Sequence, residues 1–264
     1  MASNFEVVTT FHKPGYDKYG KNMIETFEKK WEKTIPLKVY YENMEQPELQ
    51  SDRIEYINYE EVCGEKQNAF AAIAKPFEEK VLGPNGEDPR PHRDGPVTPG
   101  SRYLFEATRF AHKYYACADA IAKTDARYLV WCDADVVAIN DVTEEWLKGF
   151  VEEGKYWSRI GRGAKYPECG FMIWDTQHPA HSRYWQLMSW LYDQGALFQL
   201  MEWHDSYVWW TAEKYVEQEA KRPLHVDLGG GFAGHAFVKG PLGDCLDHLK
   251  GDRKDVGFSK ERVR

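Results

Sequence analysis

The chain has 264 residues, of which 42% are hydrophobic, and its formal net charge is −8. The apolar fraction allows a substantial core, and the length fits one large α/β domain or two small ones, of which we favour a single domain over 1–264. The acidic balance argues against a nonspecific nucleic-acid-binding protein, whose surface would be basic. The five cysteines are widely spaced without a CxxC pair, which argues against a structural zinc site and a disulfide framework and predicts a cytoplasmic protein. The N-terminus has no signal-peptide pattern, and no apolar run reaches membrane-spanning length.

The first part of the chain alternates between strand and helix patterns. Short apolar runs predict strands at 5–10, 37–41 and 53–59, and a stripe of large apolar residues predicts a helix over 19–33. This alternation favours a Rossmann-like α/β fold with a mostly parallel central sheet flanked by helices. A segment rich in Pro and Gly at 83–100 predicts a long loop, and the sequence leaves open whether it faces a substrate or is a passive excursion.

The second part of the chain continues the same alternation. An apolar stripe predicts a long helix over 103–122, and a buried strand follows at 127–132. A further strand is predicted at 170–174, with helices over 179–192 and 205–219. No internal repeat accompanies these elements.

Two carboxylates follow the buried strand at 127–132 directly, in the run Asp133-Ala134-Asp135. Ligands of open α/β sheets bind beyond the carboxyl ends of the strands, and residues two apart in extended chain point the same way. Neighbouring carboxylates repel unless a cation neutralises them, and hard oxygen ligands favour Mg²⁺ or Mn²⁺. Such an ion can bind a diphosphate. The alternative is a pair of surface turn residues, but the buried strand before them favours a metal site.

A second cluster lies in the basic C-terminal tail, 248–264, as His248-Leu-Lys-Gly251-Asp-Arg-Lys254. Histidine can supply a nitrogen ligand to Mn²⁺, glycine lets the backbone approach a phosphate, and lysine neutralises phosphate charge. Alone, this pattern is also that of a basic tail with an isolated histidine. Combined with the upstream carboxylates, it predicts a diphosphate clamp that the tail closes.

Together the two clusters resemble the GT-A fold glycosyltransferases. More narrowly, they are similar to the retaining family of glycogenin and the bacterial lipopolysaccharide galactosyltransferases, which carries an Asp-x-Asp motif and a C-terminal HxxGxxKPW motif. The resemblance implies that Asp133, Asp135 and His248 are ligands of Mn²⁺ or Mg²⁺. It also implies that Asp133, Gly251 and Lys254 contact a nucleoside-diphosphate sugar, with a UDP-sugar as the expected donor. The enzyme would be a hexosyl- or pentosyltransferase.

Further positions match this family in chain order. By resemblance, one group seats the nucleotide, a second contacts the donor from the helix before the carboxylate pair, and a third lies at the sugar. The first group is Thr9, Thr10 and Phe11 at the end of the first strand. The second is Arg109 and Lys113 on the helix, and the third is Glu168 and Asp205 beside the donor sugar. If the reaction inverts the anomeric configuration of the sugar, Asp205 or Glu168 is the candidate catalytic base. Retention, which the resemblance implies, needs no protein base because the leaving phosphate can take the proton.

Two other functions stay open. A nucleotidyltransferase that makes an activated sugar also uses paired carboxylates, but it usually carries a Gly-rich loop after the first strand, and 9–20 lacks one. A non-catalytic carbohydrate-binding protein would account for ten Trp and sixteen Tyr, but not for both metal-like clusters. The acceptor of a transferase is not readable from the sequence. A glycan, a protein and a modified DNA base, flipped out of the duplex, are all candidates.

Overall fold

The structure is a computed structural model that describes residues 3–82, 102–163, 165–229 and 235–262. The segment at 83–100, predicted to be a long loop, lies outside the described residues. Within the described part of the chain, none of the helices is long and apolar enough to cross a membrane.

The described strands form one large sheet and one small one. In chain order they are β1 (Phe5–His12), β2 (Leu37–Glu42), β3 (Ile54–Asn58), β4 (Tyr128–Cys132), β5 (Val136–Ala138), β6 (Trp157–Arg162), β7 (Lys165–Asp175), β8 (His225–Asp227) and β9 (Leu246–His248). The large sheet has seven strands in the order β3-β2-β1-β4-β7-β6-β8, and β5 pairs with β9 in the small sheet.

The helices of the described residues vary widely in length. In chain order they are α1 (Lys13–Gly15), α2 (Lys21–Lys30), α3 (Tyr59–Leu82), α4 (Ala107–Lys123), α5 (Glu144–Lys148), α6 (His181–Asp193), α7 (Asp205–Ala220), α8 (Ala236–Lys239) and α9 (Arg253–Val256). A π-helical turn, Tyr16–Gly20, joins α1 to α2. Short 3₁₀ turns lie at Arg102–Phe105, Ala196–Gln199, Pro241–Asp244 and Lys260–Arg262.

The large sheet is mostly parallel, as the sequence predicts. Strands β1, β2, β3 and β4 run parallel, and β8 runs parallel to β6. Strand β7 is antiparallel to both β4 and β6. Because the pairing ends with Cys132 of β4 opposite Phe171 of β7, residues 165–170 of β7 extend past the carboxyl end of β4. The antiparallel strand therefore adds side chains to the edge where parallel strands present their ligand-binding ends.

Apolar side chains cover both faces of this sheet. One buried cluster joins β-strand residues to α3, α4, α6 and α7, and the other joins the opposite face to α2, α5, α8 and β9. Four tryptophans are among the largest fully buried side chains: Trp157, Trp174, Trp203 and Trp209. Many of the aromatic residues therefore pack inside the molecule.

Some elements differ from the sequence-based expectations. The predicted helix over 19–33 spans only Lys21–Lys30, because Trp31 takes an extended conformation and bridges to Val142. The predicted helix over 103–122 begins later, at Ala107. Helix α3 was not predicted, and it contains Gly64 and Pro76, two residues that disfavour a helix interior.

Candidate active site

The site is built on the turn between β4 and β5, which carries Asp133 and Asp135. The turn is closed by the Val136 amide, which donates to the Asp133 carbonyl at 2.9 Å, and the Asp133 amide donates to the Gly170 carbonyl at 2.9 Å. Strand β5 pairs with β9 so that Val136 lies opposite His248. This pairing brings the tail of the chain to the carboxylates.

Three side chains from these two segments form a cluster suited to a metal ion. Nε2 of His248 lies 3.0 Å from Oδ1 of Asp135 and 3.8 Å from Oδ2 of Asp133. The ligand atoms of all three lie within 4.8 Å of one another. Two carboxylate oxygens and an imidazole nitrogen fit Mn²⁺, and with less preference Mg²⁺, which favours oxygen ligands only. The residues that the sequence assigns to the metal are therefore brought together.

The charges in this cluster stabilise one another. Burial raises the pKa of Asp135, but His248 and Lys254 outweigh this and hold it well below its usual range. Burial lowers the pKa of His248, but Asp135 and Glu168 outweigh this and raise it to about 9. A cation is thus strongly favoured beside Asp135.

Lys113 lies at the centre of the site and is buried. Its ammonium donates to Oδ1 of Asp133 at 3.0 Å, to Oδ2 of Asp205 at 2.9 Å and to the carbonyl of Cys169 at 2.5 Å. These three acceptors match the three protons of an ammonium group. The resemblance assigns Lys113 to the donor, whereas these three hydrogen bonds join it to other groups of the protein. Its Nζ also lies 4.8 Å from the ring centroid of Trp131.

Asp205 begins helix α7 and faces the same space. Its Oδ1 accepts from the Ser206 amide at 2.7 Å, and its Oδ2 accepts from Lys113. Burial raises the pKa of Asp205, but Lys113 and His204 outweigh this and hold it far below its usual range. Asp205 is thus an ionised hydrogen-bond acceptor in a fixed position.

Glu168 lies behind the metal cluster. Its Oε1 accepts from Nδ1 of His248 at 2.8 Å and from the Lys250 ammonium at 3.0 Å. Burial raises its pKa, but the two partners outweigh this and hold the pKa well below its usual range. Glu168 does not line either of the cavities beside the carboxylate turn, whereas Cys169 and Gly170 line one of them.

The C-terminal tail folds over the carboxylate turn. The Lys254 ammonium lies 2.9 Å from Oδ2 of Asp135 and 4.3 Å from the ring centroid of Tyr19. Gly251 has a φ of +57°, and a side chain there would meet no atom within 4 Å. Lys254 therefore reaches the metal cluster directly, and Gly251 forms the turn that allows it.

The residues that the sequence assigns to the nucleotide lie in different environments. Thr10 lines a cavity and donates to the Tyr40 carbonyl at 2.9 Å, whereas Thr9 and Phe11 are buried in the core and line neither cavity at the turn. Phe11 packs under Gly20, where a Cβ would come within 2.9 Å of its ring. Arg109 lines the same cavity as Thr10 with 68% of its side chain exposed, and it is paired with Glu106.

Two cavities meet at the carboxylate turn. One, of about 490 Å³, extends towards β7 and α7, and the other, of about 470 Å³, extends towards the ends of β1 and β2. Both are lined by Phe110, Asp133, Asp135 and Asp205. The cavities are also lined by residues to which the sequence assigns no role at the site: Tyr19, Asn43, Trp131, Arg162 and Lys250.

Comparison with known proteins gives likenesses of fold. No family model and no curated protein matches the chain. The apo form of mouse xyloside xylosyltransferase 1 is 10% identical, with 85% of this chain and 84% of that chain covered and a TM-score of 0.47. The mannosyltransferase Ktr4p of S. cerevisiae is 10% identical, with 80% and 65% covered and a TM-score of 0.48. The galactosyltransferase LgtC with donor and acceptor sugar analogs is 12% identical, with 93% and 87% covered and a TM-score of 0.46.

Proposed function

We propose that the protein is a metal-dependent, GT-A-like glycosyltransferase in a single domain, which transfers a sugar with retention from a nucleoside-diphosphate sugar to an acceptor. The observation that carries this proposal is the position of the Asp133, Asp135 and His248 cluster, between two cavities that share both carboxylates. A donor that spans the cluster would have its nucleotide on one side and its sugar on the other.

The cavity near β1 and β2 suits the nucleotide. Its volume of about 470 Å³ lies within the usual range for small-molecule sites. Tyr19 offers an aromatic face for a base, Asn43 offers an amide, and the mostly exposed Arg109 offers a positive charge. We assign a UDP-sugar as the donor on the sequence resemblance.

The cluster and the tail suit the diphosphate. Asp133, Asp135 and His248 would hold Mn²⁺ or Mg²⁺, and Lys254 lies beside Asp135, where it would meet the phosphates. When bound, the divalent ion neutralises the charge that develops on the departing nucleoside diphosphate. The Leu249 amide, two residues before Gly251, donates to the Asp135 carbonyl at 2.9 Å, so the tail passes beside the same carboxylate before it turns at Gly251.

Retention is supported by the contacts of the two candidate bases: Asp205 accepts from the Lys113 ammonium, and Glu168, which lines neither cavity at the turn, accepts from His248 and Lys250. Asp205 and Glu168 both have pKa values held well below the usual range by cationic partners, so neither is suited to remove a proton near neutral pH. We infer that the leaving phosphate takes the acceptor proton. Asp205, at the cavity wall, would accept hydrogen bonds from sugar hydroxyls and hold the ring in place.

The cavity near β7 and α7 suits the sugar and the acceptor. It shares Arg162, Lys165 and Tyr166 with a further cavity of about 470 Å³, which is also lined by Tyr207 and Trp210. Partly exposed aromatic rings along a groove offer apolar faces to the C–H faces of sugar rings. We therefore favour a glycan acceptor over a protein or a modified DNA base.

A panel of sugar nucleotides tests the function. We expect one of them to release nucleoside diphosphate with Mn²⁺, and we expect EDTA or Asp135→Asn to abolish the release. Asp141→Asn is the matched control, because it makes the same change at an exposed carboxylate outside the metal cluster. Oδ1 of Asp141 lies 3.8 Å from Nζ of Lys30. Metal-dependent turnover that survives in Asp135→Asn would refute the proposal.

The alternatives give different products in the same assay. A nucleotidyltransferase would release pyrophosphate from a nucleoside triphosphate and a sugar 1-phosphate, and a carbohydrate-binding protein would release nothing. Proton NMR of the first product formed reports the anomeric configuration, and inversion would refute the retaining mechanism.

A further inference from the structure

The buried contact between Glu168 and His248 has a consequence for the metal cluster. We infer that Glu168 is a positioning residue, which holds the His248 ring with its proton on Nδ1 and its Nε2 lone pair directed at the metal position. This inference rests on the proposed function in taking His248 as a ligand. It replaces the catalytic role that the sequence suggested for Glu168.

The hydrogen bonds of the ring define its orientation. Nδ1 of His248 lies 2.8 Å from Oε1 of Glu168, and Nε2, on the other side of the ring, lies 3.0 Å from Oδ1 of Asp135. An ionised carboxylate accepts and cannot donate, so without a metal ion both ring nitrogens carry protons, Nδ1 towards Glu168 and Nε2 towards Asp135. A metal ion held by Asp133 and Asp135 would replace the proton on Nε2, whereas Glu168, outside the metal cluster, keeps the proton on Nδ1. When a ligand histidine donates one nitrogen in this way, the other is fixed as the metal-binding atom.

The surroundings prevent the ring from choosing another orientation. A Cβ at Gly170 would lie 2.5 Å from Cε1 of His248, so only glycine leaves room for the ring. The ring centroid of Phe237 lies 5.0 Å away on another side. The main-chain carbonyl of His248 lies 3.1 Å from Nε2 of His235 and 3.3 Å from Oγ of Ser259. Packing thus fixes the place of the ring, and Glu168 is left to determine its tautomer.

Lys250 moderates the effect of Glu168. Its ammonium lies 3.0 Å from the same Oε1 atom, and 42% of its side chain is exposed. It offsets part of the charge of the Glu168 carboxylate. Within the part of the chain that the structure describes, its side chain makes no hydrogen bond or ion pair with the His248 ring. Removing Lys250 should therefore leave the ring oriented and leave more negative charge behind it, so that metal binding stays the same or becomes tighter.

Binding of Mn²⁺ alone, measured by electron paramagnetic resonance without a donor, tests the inference. We expect Glu168→Ala to weaken Mn²⁺ binding by about 10- to 100-fold, the usual effect of losing a partner of a ligand histidine. We expect a smaller loss in Glu168→Gln, whose amide oxygen can still accept from Nδ1. Lys250→Ala should bind as tightly as the wild type or more tightly.

Equal Mn²⁺ affinity in wild type and Glu168→Ala, or weaker binding in Lys250→Ala than in Glu168→Ala, would overturn the inference. So would a wild type that binds no Mn²⁺. If Glu168→Ala does not fold, ¹⁵N NMR of the wild type loaded with diamagnetic Zn²⁺ decides, because coordination through Nδ1 contradicts the assignment and coordination through Nε2 supports it. These readouts need no turnover. A protein that binds Mn²⁺ as expected but releases no nucleoside diphosphate would refute the proposed function and leave this inference standing.

Discussion

The ammonium of Lys113 and the carboxylate of Asp205 form a buried ion pair, 2.9 Å between Nζ and Oδ2, across 92 positions of sequence. The same ammonium bonds Asp133 at the end of β4. Lys113 thus ties the metal-binding turn to the start of α7. The positions of the metal ligands and of the sugar contact depend on one side chain.

Lys113→Met removes this charge but keeps most of the volume. We expect the free energy of unfolding to fall by about 3–5 kcal/mol, because the variant leaves buried carboxylates without their partner. Arg109→Met, one helical turn earlier and mostly exposed, should change stability by less than about 1 kcal/mol. Urea unfolding of both variants measures the contrast, and equal losses would contradict the structural role assigned to Lys113.

Gly170→Ala tests the fit of the His248 ring. The added Cβ would lie 2.5 Å from Cε1 of His248, so the ring must move and we expect Mn²⁺ affinity to fall. Gly64→Ala, in the interior of α3 with its nearest neighbour at 3.8 Å, is the control. It should leave Mn²⁺ binding unchanged and stabilise the protein by about 0.5–1 kcal/mol. Titration of both variants with Mn²⁺ separates a displaced ligand from a general packing effect.

Asp205→Asn separates sugar positioning from metal binding. We expect kcat to fall by about 100-fold, a typical loss for a group that stabilises the reacting centre. Mn²⁺ affinity should stay close to that of the wild type, because Asp205 does not belong to the cluster of metal-binding atoms. Steady-state kinetics at saturating Mn²⁺ measures the first quantity and direct titration the second. A loss confined to metal affinity would contradict the assignment.

Lys254→Met tests the clamp formed by the tail. The variant removes the cation beside Asp135, so we expect KM for the donor to rise roughly tenfold, equivalent to about 1.4 kcal/mol. Lys260→Met, on an exposed part of the same tail, should bind the donor like the wild type. Similar KM changes in both variants would indicate a general charge effect of the tail.

Glu217 contributes a pH-dependent part of the stability. Burial raises its pKa, but hydrogen bonds from His225, Lys214 and the Leu224 amide outweigh this and lower it from 4.5 to about 2. A lowered pKa stabilises the folded state above pH 4.5, and this contribution disappears as pH falls from 4.5 to about 2. Urea unfolding of Glu217→Gln should therefore show a deficit against wild type at pH 7 that shrinks across this window. A deficit that does not change with pH would contradict this origin.

Much of the fold is readable from local patterns. The strand that ends in Asp133 is an uninterrupted apolar run, and a helix begins at Asp205 as predicted. Helix α3 was not predicted, because Gly64 and Pro76 lower the local helix propensity. Its stability comes from packing against the sheet. The antiparallel direction of β7 was not predicted either, since an apolar strand has the same composition in either direction.

The sequence by itself determined which residues could bind a metal. Asp133 and Asp135 follow a buried strand, and His248 lies in a pattern with Gly251 and Lys254, so the chemistry of the ligands is local information. Only the tertiary structure decided what each neighbour does. Glu168 and His248 are 80 positions apart, and they meet because β7 runs antiparallel to β4 while β9 pairs with β5. A hydrogen-bond partner depends on where two strands are placed in space, which the residue type at one position does not specify.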